Sequence, residues 1–232
     1  MFDNSNWNYE GFPRHVALYM ADVYMTIIKF LIFFSLGVGL CFGIGSSYMN
    51  LISVTSVFIS LISTPMVILS EERKFWSNLT AVSTGVMTGP LFILAFLTDP
   101  SIIILSITGG ITIFCCFTFC AFTMNLRKMF YFGSILSSIL LTFALFSTMN
   151  ILFFGYLTFY WWHIYLSLIL FSFYVMFDTR IMIERASAYL DYEDNKKKYE
   201  LQVITDSVNI FFDIINLLVK LIVLLLRDKK KR

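Results

Sequence analysis

The chain has 232 residues, of which 58% are hydrophobic and 14% are charged, and its formal net charge is +2. A soluble domain of this length could not cover so much apolar surface with so few charges, so the composition predicts a multi-pass protein whose partner is the lipid bilayer. The small net charge, with no basic patch interleaved with stacking aromatics, argues against a nucleic-acid partner.

Seven apolar runs follow one another along the chain, each with about 20 residues, which is enough to cross ~30 Å of hydrocarbon as a helix. A single apolar run satisfies its own backbone in a membrane only as a helix, so we predict an all-α integral membrane bundle. The predicted spans are 23–43, 49–69, 77–97, 102–124, 130–150, 160–183 and 203–226. They form one transmembrane domain, 23–226, between an N-terminal segment, 1–22, and a basic C-terminal tail, 227–232.

Lysine and arginine occur in every second connection between the spans, namely near 70–76, 125–129 and 184–202. The positive-inside rule places these connections, and with them the N-terminus, in the cytoplasm. Seven complete crossings would put the tail on the opposite side, against the same rule. The last segment therefore either crosses fully or turns back inside the membrane, and the sequence leaves both alternatives open.

The four cysteines, Cys41, Cys115, Cys116 and Cys120, all fall in apolar runs. Packing is therefore their expected role, rather than a disulfide framework or a zinc site. No Ser/His/Asp or Cys/His arrangement, phosphate-binding loop or HExxH motif stands out. We expect no catalytic residue and no cofactor, and a protein that is not an enzyme.

A polar stripe runs along the last predicted span, where Asp206, Asn209, Asp213, Asn216 and Lys220 are separated by 3, 4, 3 and 4 residues. This spacing puts them on one helix face, which cannot face lipid, so the last helix is predicted at the centre of the bundle or beside a wet cavity. The two asparagines suit hydrogen bonds between helices. Asp206 and Lys220, nearer the ends of the predicted helix, suit surface or snorkelling positions.

Two acids inside apolar runs, Asp178 and Asp213, are the candidate site. Each costs roughly 2.5–3.5 kcal/mol at a bilayer centre on insertion scales, which calls for an explanation. Two carboxyl groups in contact in a low dielectric cannot easily both ionise, so they would share a proton and sense pH. Ionised, the same oxygens suit a passing hard cation such as Ca²⁺. Alternatively, the acids pair with Lys29, Arg180 or Lys220 and hold helices together.

Six stretches, in chain order, resemble the Bax inhibitor-1 family of transmembrane Bax-inhibitor-motif proteins, and most closely its Bax inhibitor-1 branch. They are TGVMTGPL (84–91), DPSII (99–103), IFCCFTFCAF (113–122), NILFFG (150–155), MFDTRIMIE (176–184) and FFDIINLL (211–218). The resemblance extends over roughly residues 60–232. It implies a fold in which six helices surround a polar last helix.

The resemblance also implies a pH-sensitive Ca²⁺ leak in the endoplasmic reticulum membrane that lowers lumenal Ca²⁺ and suppresses cell death. Bcl-2-class proteins and Ca²⁺-release channels are the partners that it implies. By motif, Asp178 and Asp213 form the sensor, and Arg73 is the nearest match to a basic residue that takes part in some members. Arg180 departs from the family's usual glutamine. Asn209 replaces a further acid of animal relatives, with Asp206 one turn away.

Three functions are therefore compared. The first is the pH-gated leak, and the second is a non-conducting scaffold that restrains cell death through partner proteins. The third is an intramembrane aspartyl protease, which also uses two aspartates on adjacent helices. The protease is disfavoured because no glycine-aspartate motif surrounds Asp213, whereas the first two functions remain open.

Overall fold

The computed structural model describes residues 14–43, 46–124, 126–154, 160–188 and 196–231, which form seven helices and no strand. The helices are α1 (Arg14–Gly43), α2 (Ser46–Leu69), α3 (Arg73–Thr98), α4 (Ser101–Thr123), α5 (Leu126–Phe154), α6 (Tyr160–Ala188) and α7 (Lys196–Lys231). The predicted all-α, seven-helix fold is confirmed. Much of the predicted N-terminal segment, residues 1–13, lies outside the described residues, and the remainder, 14–22, is the first part of α1.

Six of the helices are long and apolar enough to cross a membrane, as a multi-pass protein requires. The exception is α5, whose described apolar part, Tyr131–Leu145, is shorter. The helices α2 and α4 expose most of their surface, since only 17% and 11% of their most apolar windows are buried. These two helices therefore lie on the outside of the bundle.

The last helix is continuous over its 36 residues, about 54 Å at 1.5 Å per residue. Near its start, Lys197 Nζ lies 2.8 Å from Glu71 Oε1 in the α2–α3 connection, and we call this the basic end of the bundle. Near its other terminus, Lys229 Nζ lies 2.5 Å from Asp99 Oδ2 in the α3–α4 connection, which we call the far end. Because α7 extends from one end of α3 to the other, the alternative of a re-entrant last segment is wrong.

The position of α7 at the centre is also confirmed, since it packs against α1, α3, α4 and α6. Phe211 of α7 makes edge-to-face contacts with Phe30 and Phe34 of α1, at centroid distances of 5.8 and 6.2 Å. The main core cluster takes five buried residues from α7, namely Ile204, Val208, Phe211, Ile215 and Ile222. The apolar faces of α7 thus form the core, while Asp206 and Asp213 face the neighbouring helices α1 and α6.

Small residues bring α1 and α3 together. Gly85 and Gly89 of α3 face Gly37 and Cys41 of α1, and a Cβ added to Gly85 would lie 2.2 Å from the Phe34 carbonyl oxygen. Such small-xxx-small spacing lets membrane helices approach until their backbones touch. Cys41 is buried in this contact, as predicted. The other three cysteines are exposed on α4, so the packing role predicted for them is wrong.

Candidate functional site

The structure brings Asp178 of α6 and Asp213 of α7 together, with their carboxyl groups in hydrogen-bonding contact. Asp213 is buried, with 6% of its surface exposed. It lies close to the middle of α7, about 26 Å from either end at ~1.5 Å per residue. The contact joins two acids within helices that are long and apolar enough to cross a membrane, where an unpaired charge is expensive.

A proton is needed to complete this contact. Ionised carboxylates only accept hydrogen bonds, so two of them cannot bond to each other unless one carries a proton. Asp213 Oδ2 is buried and has no partner among the described residues. Tyr174, one turn before Asp178, lies within electrostatic range of both acids, and its hydroxyl shares a hydrogen bond with Ser137 of α5. The site is therefore a carboxyl pair beside a phenol, enclosed by helices.

The cations proposed as alternative partners do not pair with these acids. In the described ranges, no ion pair joins Asp178 or Asp213 to Lys29, Arg180 or Lys220. Arg180 is buried with its Nε unpartnered, and it follows Asp178 by two residues, so it points about 200° away around α6. Lys29 is exposed on α1, and Lys220 lies within electrostatic range of His163 instead.

Asp206 is not at the surface, and the prediction of a surface or snorkelling position is wrong. Only 4% of it is exposed. Its Oδ2 accepts a hydrogen bond from the Tyr19 hydroxyl at 2.7 Å, and its Oδ1 accepts from Gln202 Nε2 at 3.0 Å and from Arg185. The reason is that α7 begins at Lys196, well before the predicted start at 203, which places Asp206 ten residues inside the helix.

The rest of the polar stripe is not uniformly inward. Asn209 is exposed, because it lies about 60° around the helix from Asp206 and so reaches the edge of the buried face. Asn216 donates to the carbonyl of Phe212 in its own helix at 2.9 Å. Among the described residues, neither asparagine forms the interhelical hydrogen bond that the stripe predicted. Only Asp206 and Asp213 of the five are buried.

Arg73 lies at the basic end rather than beside the acid pair. It begins α3 and lines a groove of about 380 Å³ together with Glu71, Lys197 and Glu200. The hydrogen bond from Lys197 lowers the pKa of Glu71. This geometry gives Arg73 no contact with Asp178 or Asp213, so the role that the resemblance implied for it has no support in the fold.

The acid pair alone does not provide enough ligands for a resident Ca²⁺ ion. Among the described residues, no three His, Cys, Asp or Glu side chains come together to hold a metal ion. Two carboxyl groups supply fewer ligands than the roughly six to eight oxygens that Ca²⁺ takes in a stable site. The pair can contribute oxygens to an ion in transit or exchange a proton.

Sequence reasoning missed Arg185, Tyr19, Gln202 and Tyr174. A signal for the first was available: Arg185 follows Asp178 by seven residues, as Asp206 precedes Asp213 by seven. In antiparallel neighbouring helices, equal spacings place the two outer residues opposite each other when the inner two are in contact. For Tyr19 and Gln202 no such pattern exists, because their partner is determined by how α1 and α7 pack.

Comparisons with known proteins show the family of the chain. The family model described as "Inhibitor of apoptosis-promoting Bax1" matches residues 16–230. Bax inhibitor 1 of Bos taurus is 34% identical over 155 residues, 66% of this chain and 61% of the bovine protein. The probable Bax inhibitor 1 of Paralichthys olivaceus is 35% identical over 153 residues, 66% of this chain and 60% of the fish protein. Bax inhibitor 1 of Arabidopsis thaliana is 29% identical over 226 residues, 93% and 88% of the two chains. The matches thus span about three fifths of the bovine and fish proteins and most of the plant one, and the chain belongs to the Bax inhibitor 1 family.

Proposed function

We propose that the protein is a pH-sensitive Ca²⁺ leak channel of the endoplasmic reticulum membrane, which lowers lumenal Ca²⁺ and thereby suppresses apoptotic and ER-stress death. The observation that carries the proposal is the buried contact between Asp178 and Asp213, which joins two helices long and apolar enough to cross a membrane. Apolar side chains would join α6 to α7 without the insertion cost of two acids, roughly 2.5–3.5 kcal/mol each. The names of the relatives, which describe inhibition of Bax, support the anti-apoptotic part.

The pair gates the leak through its proton. With one proton between them, Asp178 and Asp213 form a charge-assisted O–H···O⁻ bond across the α6–α7 interface, and such bonds are roughly twice as strong as neutral ones. Removal of that proton leaves two repelling carboxylates, and addition of a second one replaces the strong bond by a weaker neutral one. Either change loosens α6 from α7. Loss of the proton also leaves ionised oxygens that are free to contact Ca²⁺.

The proposed orientation places the basic end and the N-terminus in the cytoplasm, as the positive-inside rule requires. The tail then lies on the lumenal side, because Lys229 contacts the α3–α4 connection. The positive-inside rule disfavours lysine on the lumenal side, and the carboxylate of Asp99 offsets the charge of Lys229 there.

The proposal is tested by Ca²⁺ efflux from proteoliposomes between neutral and mildly acidic pH. Wild type is compared with Asp178→Asn and Asp213→Asn, and Asp99→Asn is the matched control because it makes the same chemical change in an exposed connection. We expect a pH-dependent leak in wild type and control, and loss of the pH response in both pair variants. No leak from folded wild type at any pH, or an unchanged pH response in the pair variants, rejects the channel.

A second candidate is a non-conducting scaffold that restrains cell death through partner proteins, including Bcl-2-class proteins and Ca²⁺-release channels. It is favoured by the enclosure of the acid pair and by the large exposed apolar surface of α2 and α4. An experiment in cells distinguishes the two functions. If Asp213→Asn abolishes Ca²⁺ flux and leaves survival unchanged, protection does not depend on the leak and the scaffold is the better account.

A further inference from the structure

The interface between α6 and α7 carries two facing pairs of charged or acidic side chains in one register. Asp178 faces Asp213 in the inner pair, and Arg185 faces Asp206 in what we call the outer pair. Each member of the outer pair is displaced by seven residues toward the basic end, about 10.5 Å at 1.5 Å per residue. The outer pair therefore lies between the inner pair and the basic end.

The outer pair ties three helices together. Asp206 of α7 accepts from Arg185 of α6, from Tyr19 of α1 and from Gln202 in its own helix, and Tyr19 is 2% exposed. The neighbouring Ser207 is fully buried, and its hydroxyl lies 2.6 Å from the carbonyl oxygen of Val203 in its own helix and 3.2 Å from that of Val23 in α1. Both carboxylate oxygens of Asp206 are thus satisfied, and α1, α6 and α7 converge on one charge.

The two partners of this ion pair differ in their access to water. Asp206 has 4% of its side chain exposed, whereas Arg185 has 40%. A buried ion pair is weak evidence for stability, because desolvation offsets its attraction. The Arg185–Asp206 ion pair can break by movement of Arg185 alone. Its guanidinium group can move into water while Tyr19 and Gln202 continue to donate hydrogen bonds to Asp206. The contact is therefore suited to opening and closing rather than to permanent cohesion.

We propose that the Arg185–Asp206 pair is a latch that closes the basic end of the α6–α7 interface over the inner acid pair, so that ions pass only when the latch is open. Its effect on the leak rests on the proposed function. The closure itself is a property of the bundle and can be measured without conduction. Arg185, Asp206 and Tyr19 are positioning residues in this account, since they act through the separation of α6 and α7.

The first test is the Ca²⁺ leak per folded protein at a fixed neutral pH. Arg185→Gln and Asp206→Asn are expected to raise it several-fold, and the charge swap that combines Arg185→Asp with Asp206→Arg is expected to return it toward the wild-type value. The matched control is Lys74→Gln, which breaks an exposed ion pair with Glu200 at the same end. A leak unchanged in both single variants, or raised equally by Lys74→Gln, overturns the latch.

The second test needs no conduction. A cysteine is placed at Ala186, which is 1% exposed and follows Arg185, in a background where the three exposed cysteines are serine. The rate of labelling by a charged, water-soluble thiol reagent is expected to rise several-fold when Arg185→Gln is added, and not with Lys74→Gln. An unchanged rate overturns the latch, even if the leak is real.

The two tests separate the claims. If Arg185→Gln raises labelling and wild type shows no leak, the channel is rejected and the latch is retained. If wild type leaks and labelling is unchanged, the channel is retained and the latch is rejected. If the charge variants do not fold, Tyr19→Phe removes the hydrogen bond from the Tyr19 hydroxyl to Asp206 and keeps the aromatic ring in place. It is expected to raise labelling of the Ala186→Cys position by a smaller factor, and an unchanged rate in this variant overturns the latch as well.

Discussion

The contact between α1 and α3 makes Gly85 a position where one methyl group should destabilise the whole bundle. A Cβ at Gly85 would lie 2.2 Å from the Phe34 carbonyl oxygen, whereas ordinary contact begins at 3.4 Å. The two backbones would therefore have to separate by about 1 Å, an overpacking that costs about 1–3 kcal/mol. Alanine regains about 1 kcal/mol over glycine in a helix, so the effect must be measured against a glycine without neighbours.

Gly39 supplies that control, because a Cβ there meets nothing within 4 Å. The difference between Gly85→Ala and Gly39→Ala isolates the overpacking, and about 1–3 kcal/mol corresponds to roughly 2–12 °C in Tm for a chain of this size. Thermal unfolding of the purified protein in detergent measures it. If Gly85→Ala unfolds at or above the temperature of Gly39→Ala, the close packing of α1 on α3 is refuted.

Two further outcomes follow from polar contacts. Tyr19→Phe deprives Asp206 of a buried donor, and since a hydrogen bond to a charged group contributes about 1.5–3 kcal/mol, we expect a loss of roughly 3–12 °C in Tm. Tyr131→Phe, at an exposed position, should leave Tm unchanged, and equal shifts in the two variants would contradict the assignment. The hydrogen bond from Lys229 lowers the pKa of Asp99 to about 2. A lowered pKa stabilises the fold above the ordinary value of about 3.9, and this contribution is lost as pH falls toward 2. Asp99→Asn should therefore unfold slightly earlier than wild type at neutral pH, and the two melting curves should converge near pH 2; a gap that persists there contradicts the ion pair.

The helices were predictable because apolar runs of membrane length have one way to satisfy their backbones. Their ends were not. The sequence 196–202 is charged and polar, so hydropathy alone places the start of the last span at 203. The helix nevertheless begins earlier, because Lys197 and Glu200 pair with Glu71 and Lys74. Those pairs join residues more than 120 positions apart, and no local pattern specifies them.

The same cause explains the errors at the site. Asp206 was assigned to the surface because the helix was taken to begin three residues before it, whereas the true start encloses it among α1 and α6. The spacing of the polar stripe correctly put Asp206 and Asp213 on one face. It could not show that the buried sector is too narrow to include Asn209. Arg180 shows that closeness in sequence does not predict contact. It follows Asp178 by two residues, yet it lies on the opposite side of α6.

The central claim is that Asp178 and Asp213 hold one shared proton that responds to pH. Infrared difference spectroscopy of the reconstituted protein during a pH titration tests this most directly, because it detects a protonated carboxyl group in the membrane. The account predicts one such signal per molecule, which changes over the pH range in which the leak changes and disappears in both Asp178→Asn and Asp213→Asn. A wild-type spectrum without a titrating carboxyl signal, or a signal that persists in both variants, would contradict it.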